Sequence, residues 1–433
     1  MTRAPRLGAM IIMWALSTGV SAAQDQPSNA EDVRKELQRM RERIDVLDEQ
    51  HQADQERLLQ LEEQRGGFEP APQPSATGTG QGNLFNPQIT AFLDMGASVS
   101  TNGSNNAFNR FNLREAELDF RSAISPSADG VLILAIGEEI EQTAGGTTID
   151  TVFELEEGYI YFHTLPFDLA LKGGKFRNSF GRNNLLHTHD MPQVTRPSVI
   201  QAFFGPEGSA TVGASASWLV PNAWDKYVEL TVEVANADGG EEAPIFGGPD
   251  ADNPAVIVHL KLFDDIGETS TFEIGGSYLF THTSGDSDFD ANVFGLDLTY
   301  QWRDPDAPDS RSLLLQAEFF WAQNDVQGAT GAFRNDSFGM YAFGQYQFKR
   351  DWYSGVRFDY TEFPDSDVFG AGDSEWALSP YVSYYLTEFI RLRLEYQHRE
   401  FASGVGRDDE DNLFFGLTFA IGSHPAHPYW VNR

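Results

Sequence analysis

The sequence predicts an all-β fold, a 16-stranded antiparallel transmembrane β-barrel preceded by an N-terminal α-helical coiled coil. From residue 88 to residue 421, short segments with apolar residues at every second position alternate with turns about sixteen times. No long apolar run interrupts this region. Such a pattern is typical of a closed sheet with one face toward lipid and the other toward a polar lumen, where every backbone group is satisfied.

Residues 1–23 have the features of an export signal. Two arginines precede the apolar stretch Leu7–Val20, and small residues follow at Ala22 and Ala23. The apolar stretch is too short to span a bilayer, and its order of features matches a cleavable signal peptide. We therefore expect export, with the mature chain beginning near residue 24.

Residues 24–65 are predicted to form a periplasmic coiled coil. Apolar residues recur at alternating spacings of four and three: Val33, Leu37, Met40, Ile44, Leu47, Leu58 and Leu61. A lone solvated helix would leave this stripe without a partner, so we favour a coiled coil between protomers. Polar His51 and Asp54 interrupt the seam. Residues 66–87 are rich in Gly, Pro, Ser and Thr and predict a flexible linker.

The barrel is predicted to occupy residues 88–422. Strands are expected near residues 88–98, 110–124, 130–141, 152–163, 168–177, 209–219, 226–235, 254–263, 270–283, 291–303, 311–323, 337–349, 352–362, 376–387, 389–400 and 411–421. In the second strand, apolar Ala116, Leu118, Phe120 and Ile124 share one face, and Glu115, Glu117, Asp119 and Arg121 share the other. In the fifteenth, Ile390, Leu392, Leu394 and Tyr396 oppose Arg391, Arg393, Glu395, Gln397 and Arg399.

The connections indicate an orientation. Those after even-numbered strands are mostly short, whereas several after odd-numbered strands are long and acidic, such as Asn236–Asn253 and Phe363–Glu375. Bacterial outer-membrane barrels have short periplasmic turns and long outer loops. We therefore expect the Gram-negative outer membrane, with both barrel ends and the coiled coil in the periplasm. Residues 423–433 form a C-terminal tail.

The longest connection, Asn178–Gly208, contains His187, His189 and Asp190 in one short motif. Imidazole and carboxylate groups are suitable zinc or copper ligands, so these three residues are candidate metal ligands. In the alternative interpretation, they hydrogen-bond the loop to the barrel wall. A second pair, His424 and His427, lies in the tail.

Composition excludes several classes of function. The formal net charge is −34, which argues against nucleic acid as a partner. The chain has no Cys, which excludes thiolate metal sites and Cys nucleophiles. It contains neither a Gly-x-Ser-x-Gly elbow nor an HExxH motif, so we expect no enzyme and no cofactor.

Two segments carry a family resemblance. The stretch Lys172–Gly181, which reads KGGKFRNSFG, and the stretch Asn112–Arg121 resemble the phosphate-selective porin O and P family, although Ser179 stands where that family has Pro. The resemblance implies a barrel with an N-terminal coiled coil, a third outer loop that narrows the lumen, and, together with the heptad seam, a homotrimer. Phosphate selectivity would need a path rich in Arg and Lys, yet the chain has 64 acidic and 30 basic residues.

We therefore expect a porin that lets small hydrophilic solutes or ions diffuse through a water-filled barrel, with lipid and lipopolysaccharide around it. The predicted pore-lining residues are Glu115, Glu117, Asp119, Arg121, Arg391, Arg393, Glu395 and Arg399. An arginine ladder on the fifteenth strand would either line the wall or pair with the acidic residues of the second strand. Two alternatives stay open: a zinc-related uptake channel that uses the loop histidines, and a non-conducting barrel that anchors a coiled-coil tether.

Overall fold

The computed structural model describes residues 87–101, 109–143, 146–239, 245–246, 254–282, 289–328, 331–364, 373–403 and 406–422. The chain divides into two compact units, Met1–Ser75 and Ala76–Arg433. The predicted signal peptide, the coiled coil, nearly all of the linker and the tail with His424 and His427 lie outside the described residues.

Sixteen antiparallel strands form one closed barrel, in which each strand pairs with its neighbours in the sequence and β1 pairs with β16. The strands are β1 Gln88–Ser100, β2 Arg110–Ser125, β3 Ala128–Thr143, β4 Gly146–Leu165, β5 Leu169–Arg177, β6 Ala210–Leu219, β7 Tyr227–Ala235, β8 Ala255–Ile266, β9 Ser270–His282, β10 Asp290–Arg303, β11 Ser312–Gly328, β12 Gly331–Lys349, β13 Trp352–Glu362, β14 Ser374–Thr387, β15 Ile390–Ser403 and β16 Gly406–Gly422. The barrel prediction is confirmed, and every predicted strand overlaps an observed one.

Alternation sorts the side chains into two faces because successive Cβ atoms point to opposite sides of a strand. On β15, Leu394 and Tyr396 are each 43% exposed, whereas their neighbours Arg393 and Glu395 are buried. On β2, Leu118 is exposed and Glu117 is buried. The apolar face therefore points outward and the charged face inward, which is the reverse of a water-soluble sheet.

Some predicted outer loops are shorter than expected because the strands continue into them. β11 and β12 pair as far as Gly328 opposite Gly331, and β15 and β16 as far as Ser403 opposite Gly406. Backbone pairing persists there although the apolar alternation fades, which is why the sequence pattern ended these strands too early. Among the described residues, no helix is long and apolar enough to cross a membrane.

The connection between β5 and β6, residues 178–209, is the exception, and we call it the lumen loop. It contains two single 3₁₀ turns, Asn183–Leu185 and Thr188–Asp190, and the short helix α1, Ser198–Phe204. Its apolar side chains form a buried cluster with residues of the inner wall.

Aromatic contacts hold that cluster together. Phe180 of the lumen loop meets Phe204 of α1 and Phe320 of β11 edge to face, each with ring centroids 5.1 Å apart. Two wall glycines permit this approach: a Cβ at Gly295 would lie 2.7 Å from the Phe180 ring, and one at Gly339 would lie 2.3 Å from Val199 Cγ2. Burying each large apolar side chain stabilises the docked loop by about 1.5–3 kcal/mol.

Candidate functional site

The lumen loop is anchored to the inner wall on three strands that lie a quarter of the barrel apart. On β7, Glu233 accepts hydrogen bonds from the Ser179 backbone N–H (3.1 Å) and from the Ser179 hydroxyl (2.7 Å). On β15, Glu395 accepts from the backbone N–H groups of Val194 (2.6 Å) and Thr195 (2.9 Å) and from the Thr195 hydroxyl (2.6 Å). Loop backbone groups that would otherwise be orphaned are thus satisfied by buried carboxylates.

The third anchor lies on β11, midway between the other two. Glu318 accepts hydrogen bonds from the backbone N–H groups of Arg182 (3.1 Å) and Asn183 (2.7 Å). The Tyr341 hydroxyl donates to the same carboxylate at 2.6 Å, which fixes its rotamer. The loop therefore reaches across the lumen between widely separated inward-facing residues, so it lies inside the barrel.

Buried arginines bind the carbonyl groups of the loop. Arg393 donates to the carbonyls of Met191 (3.1 Å) and Gln193 (2.7 Å) and forms an ion pair with Asp94 of β1 at 2.8 Å. Arg357 of β13 donates to the Thr195 carbonyl at 2.6 Å. Arg391 donates to the carbonyl of His189. A guanidinium offers five donors in a fixed fork, so one buried arginine can serve the wall and the loop together.

The remaining quarter of the wall, around β2 and β4, meets the loop through His187. Its Nδ1 lies 2.7 Å from Glu156 and 3.3 Å from Glu117, and its Nε2 lies 2.9 Å from Glu157. One atom from each of Glu115, Glu117, Glu156 and His187 lies within 4.8 Å of the other three, and all four residues are buried. We call these four residues the carboxylate–histidine cluster.

His189 lies beside the cluster rather than in it. Its ring stacks on Phe92 of β1 with centroids 4.1 Å apart, and its Nδ1 is 3.4 Å from Glu117. Its Nε2 is 3.7 Å from Asp190. Of the three candidate metal ligands in the loop, only His187 belongs to the group of converging ligand atoms. The other converging ligands come from the barrel wall, which the sequence motif could not reveal.

The surroundings of two side chains of the lumen loop, His187 and Arg196, shift their pKa values. Burial and the nearby Arg177 lower the pKa of the His187 imidazole, but the carboxylates of Glu117 and Glu156 outweigh both and raise it well above its ordinary value. Burial lowers the pKa of Arg196 to about 10, with Arg177 adding to the effect. Arg196 nevertheless donates to the Leu186 carbonyl at 3.0 Å, an internal bond that shapes the loop.

The predicted pore-lining residues face inward but differ in exposure. Six are buried against the loop or against one another: Glu115, Glu117, Asp119, Arg391, Arg393 and Glu395. The side chains of Arg121 and Arg399 are 38% and 35% exposed. Only these two of the eight are therefore more than slightly open to solvent.

The alternative interpretation, in which the arginine ladder pairs with the acidic residues of β2, does not hold for the ion pairs of Arg393 and Arg399. Arg393 pairs with Asp94, and Arg399 pairs with Glu375 (3.3 Å) and Glu410 (2.5 Å). Asp119 pairs with Arg121 on its own strand at 2.8 Å. Only the Arg393–Asp94 pair spans the β1–β16 closure, whereas Arg399 takes its partners from the adjacent strands β14 and β16. The sequence does not show the register that selects these partners.

Sequence reasoning missed the wall residues that hold the loop: Asp94, Glu156, Glu157, Glu233, Glu318, Arg357 and Asp359. For some of these residues, the sequence contains a pattern that could have identified them. In the β7 segment YVELTVEVA, Glu233 is a charged residue amid apolar ones, at an inward-facing position of a short strand. Because a charge at such a position needs a buried partner, it could have predicted a polar contact inside the barrel.

Comparisons with known proteins identify the fold of the chain but do not assign the chain to a family. No protein-family model matches the chain. An uncharacterized protein of Aquifex aeolicus is 29% identical, over 74% of this chain and 70% of that protein. Among solved structures, the outer membrane channel DcaP of Acinetobacter baumannii matches with a TM-score of 0.52 and 9% identity, over 78% of this chain and 97% of that one. Salmonella typhi OmpF matches with a TM-score of 0.51 and 12% identity, over 78% and 98%. The chain therefore has the 16-stranded barrel fold of outer-membrane porins.

Proposed function

We propose that this protein is an outer-membrane porin through which small hydrophilic solutes or ions diffuse passively. The observation that carries the proposal is a closed 16-stranded barrel whose inward face is charged and whose longest loop lies inside it. A charged inner face holds water where an apolar one would not. DcaP, which shares the fold, is an outer-membrane channel.

In this proposal, the lumen loop, which includes the predicted segment Asn178–Gly208, is the constriction. Anchors on β7, β11 and β15 hold it across the barrel, so that solutes pass beside a fixed obstacle rather than through an open cylinder. Arg121 and Arg399 are the predicted pore-lining residues with the most exposed side chains, so they lie at the edge of the proposed water path. Of the other six predicted lining residues, all except Asp119 face the loop, and Asp119 pairs with Arg121. Phosphate specificity is not part of the proposal.

The remaining parts of the chain fit the same location. We propose a signal peptide at residues 1–23, a periplasmic coiled coil at 24–65, a linker at 66–87 and a short tail at 423–433, with lipid and lipopolysaccharide around a homotrimeric barrel. The short turns would face the periplasm. A Cys introduced at Asp367 should then react with an impermeant label in intact cells, and a Cys at Asp225 should not. The reverse labelling pattern would overturn this orientation.

Planar-bilayer recording separates a pore from a barrel that only anchors a tether. Purified full-length protein should insert with stepwise increases in conductance, because each inserted pore adds a fixed water path. A protein that inserts, as shown by protease protection in liposomes, and yet gives no current steps would contradict a porin and favour the anchor.

A further inference from the structure

The carboxylate–histidine cluster differs from the other contacts between the loop and the wall. At Glu233, Glu318 and Glu395, N–H and O–H groups point at the carboxylate oxygens. Glu115 is buried, yet neither of its side-chain oxygens has a hydrogen-bond donor among the described residues, and Glu117 Oε2 has none either. The neighbouring carboxyl groups of Glu117 and Glu156 could satisfy these oxygens only by sharing a proton with them, whereas a bound cation would contact them directly.

Charge at this place is also poorly balanced. Glu115, Glu117, Glu156 and Glu157 surround His187, and Arg177 approaches Glu156 at 3.7 Å. Among the described residues, these four carboxyl groups form ion pairs with Arg177, His187 and His189, so acidic groups outnumber their basic partners and an additional cation would reduce their repulsion. The place that needs a cation is the space at which the ligand atoms of Glu115, Glu117, Glu156 and His187 converge.

We propose that the carboxylate–histidine cluster binds one divalent first-row transition-metal ion, such as Zn²⁺ or Mn²⁺, that joins the lumen loop to the barrel wall. Ligand atoms within 4.8 Å of one another are close to the separations of about 3.4–4.2 Å set by an ion about 2.1 Å from each ligand. One imidazole nitrogen with carboxylate oxygens suits these ions better than Ca²⁺ or Mg²⁺, which prefer oxygen alone.

The contacts of His187 suit a histidine that coordinates a metal ion through one ring nitrogen. Its Nδ1 faces Glu156 and Glu117, whereas its Nε2 lies 2.9 Å from Glu157. An Nε2–H that donates to Glu157 would leave Nδ1 to coordinate, and a carboxylate behind a ligating histidine is the usual way in which proteins orient that ring. Glu115 and Glu117 come from β2, Glu156 from β4 and His187 from the loop, so the ion would tie three segments together.

The test is calorimetric titration of the full-length protein in detergent with ZnCl₂, after EDTA treatment and dialysis. Wild type should bind one Zn²⁺ per chain at this site, and E115Q should weaken that binding at least tenfold. E115Q is the informative variant because it replaces one carboxylate ligand of the cluster with a neutral amide of nearly the same size and shape. H187Q should have a similar effect, and its circular dichroism would show whether the barrel still folds.

Two controls separate this site from others. D297N alters a second buried carboxylate that faces a histidine, His259, at 3.3 Å, outside the cluster, and it should leave binding unchanged. H424N/H427N removes the tail histidines and should also bind as wild type does. No Zn²⁺ binding by wild type, or binding that E115Q and H187Q both leave unchanged, would overturn the proposal. The measurement does not depend on whether the barrel conducts, so it can fail independently of the porin proposal.

Discussion

At the scale of single residues, hydrogen bonds from buried, ion-paired arginines rather than apolar contacts connect the loop to part of the wall. Arg393 and Asp94 are almost fully buried, and Arg393 also binds two loop carbonyls. Such a pair adds little net stability over an apolar pair of the same shape, but removing one partner leaves an uncompensated buried charge. An arginine at a neighbouring position of β15 would lie on the outer face and meet lipid. The face on which a residue lies therefore decides whether the strand tolerates a charge there.

R393M should therefore destabilise the barrel by about 3–5 kcal/mol, because Asp94 would keep only Arg114, 3.3 Å away, as an ion-pair partner and two loop carbonyls would lose their donor. Urea unfolding followed by tryptophan fluorescence would measure the loss. The matched control is R399Q, on the same strand and face but one-third exposed, which should cost about 1 kcal/mol or less. D94N/R393M should recover part of the lost stability. Equal losses in R393M and R399Q would contradict this account.

At the scale of elements, the length of the lumen loop is visible in the sequence. Its contacts inside the barrel could not be predicted from the sequence. A 31-residue connection between two strands stands out in the sequence, and the charged face of β15 pointed to inward groups. Which wall residue meets which loop residue depends on strands far apart in the chain, such as Glu395 and Val194. No local pattern encodes such a pairing. The strands themselves were predictable because period-two alternation is local.

Weakening the loop anchors should widen the constriction. In E233Q/E395Q, two carboxylates that each accept two or more hydrogen bonds from the loop become neutral amides, so the loop should shift more often from its docked position. Single-channel recording should show larger or noisier conductance than wild type. E400Q is the control, since Glu400 lies on β15 and pairs with exposed Arg407 away from the loop. Conductance equal to that of E400Q would show that the loop does not limit the current.

At the scale of the whole molecule, the heptad seam before the barrel and the porin resemblance together predict a trimer. Leu37 and Ile44 lie on that seam, so L37D/I44D should separate the protomers or lower the temperature at which the oligomer dissociates. Light scattering in detergent, with detergent mass subtracted, gives the oligomeric state. A control pair on the face of the same segment opposite the seam, E42K/E49K, should leave the trimer intact. A monomeric wild type would refute the prediction.

Charge over the whole molecule sets the expected selectivity. The chain has 64 acidic and 30 basic residues, and the long outer connections are acidic. A negative mouth concentrates cations within a Debye length of about 8–10 Å. The buried arginines oppose this effect only weakly, because Arg357 and Arg393 are paired with Asp359 and Asp94. A water path beside the loop should therefore favour cations modestly.

The central claim, a water-filled pore with an acidic mouth, is tested most directly by single-channel recording across a KCl gradient. We predict discrete current steps and a reversal potential whose sign corresponds to a modest preference for K⁺ over Cl⁻. The preference should shrink as the salt concentration rises, because screening shortens the reach of the mouth charges. Absence of current steps, or clear anion selectivity with block of the chloride current by millimolar phosphate, would contradict the account.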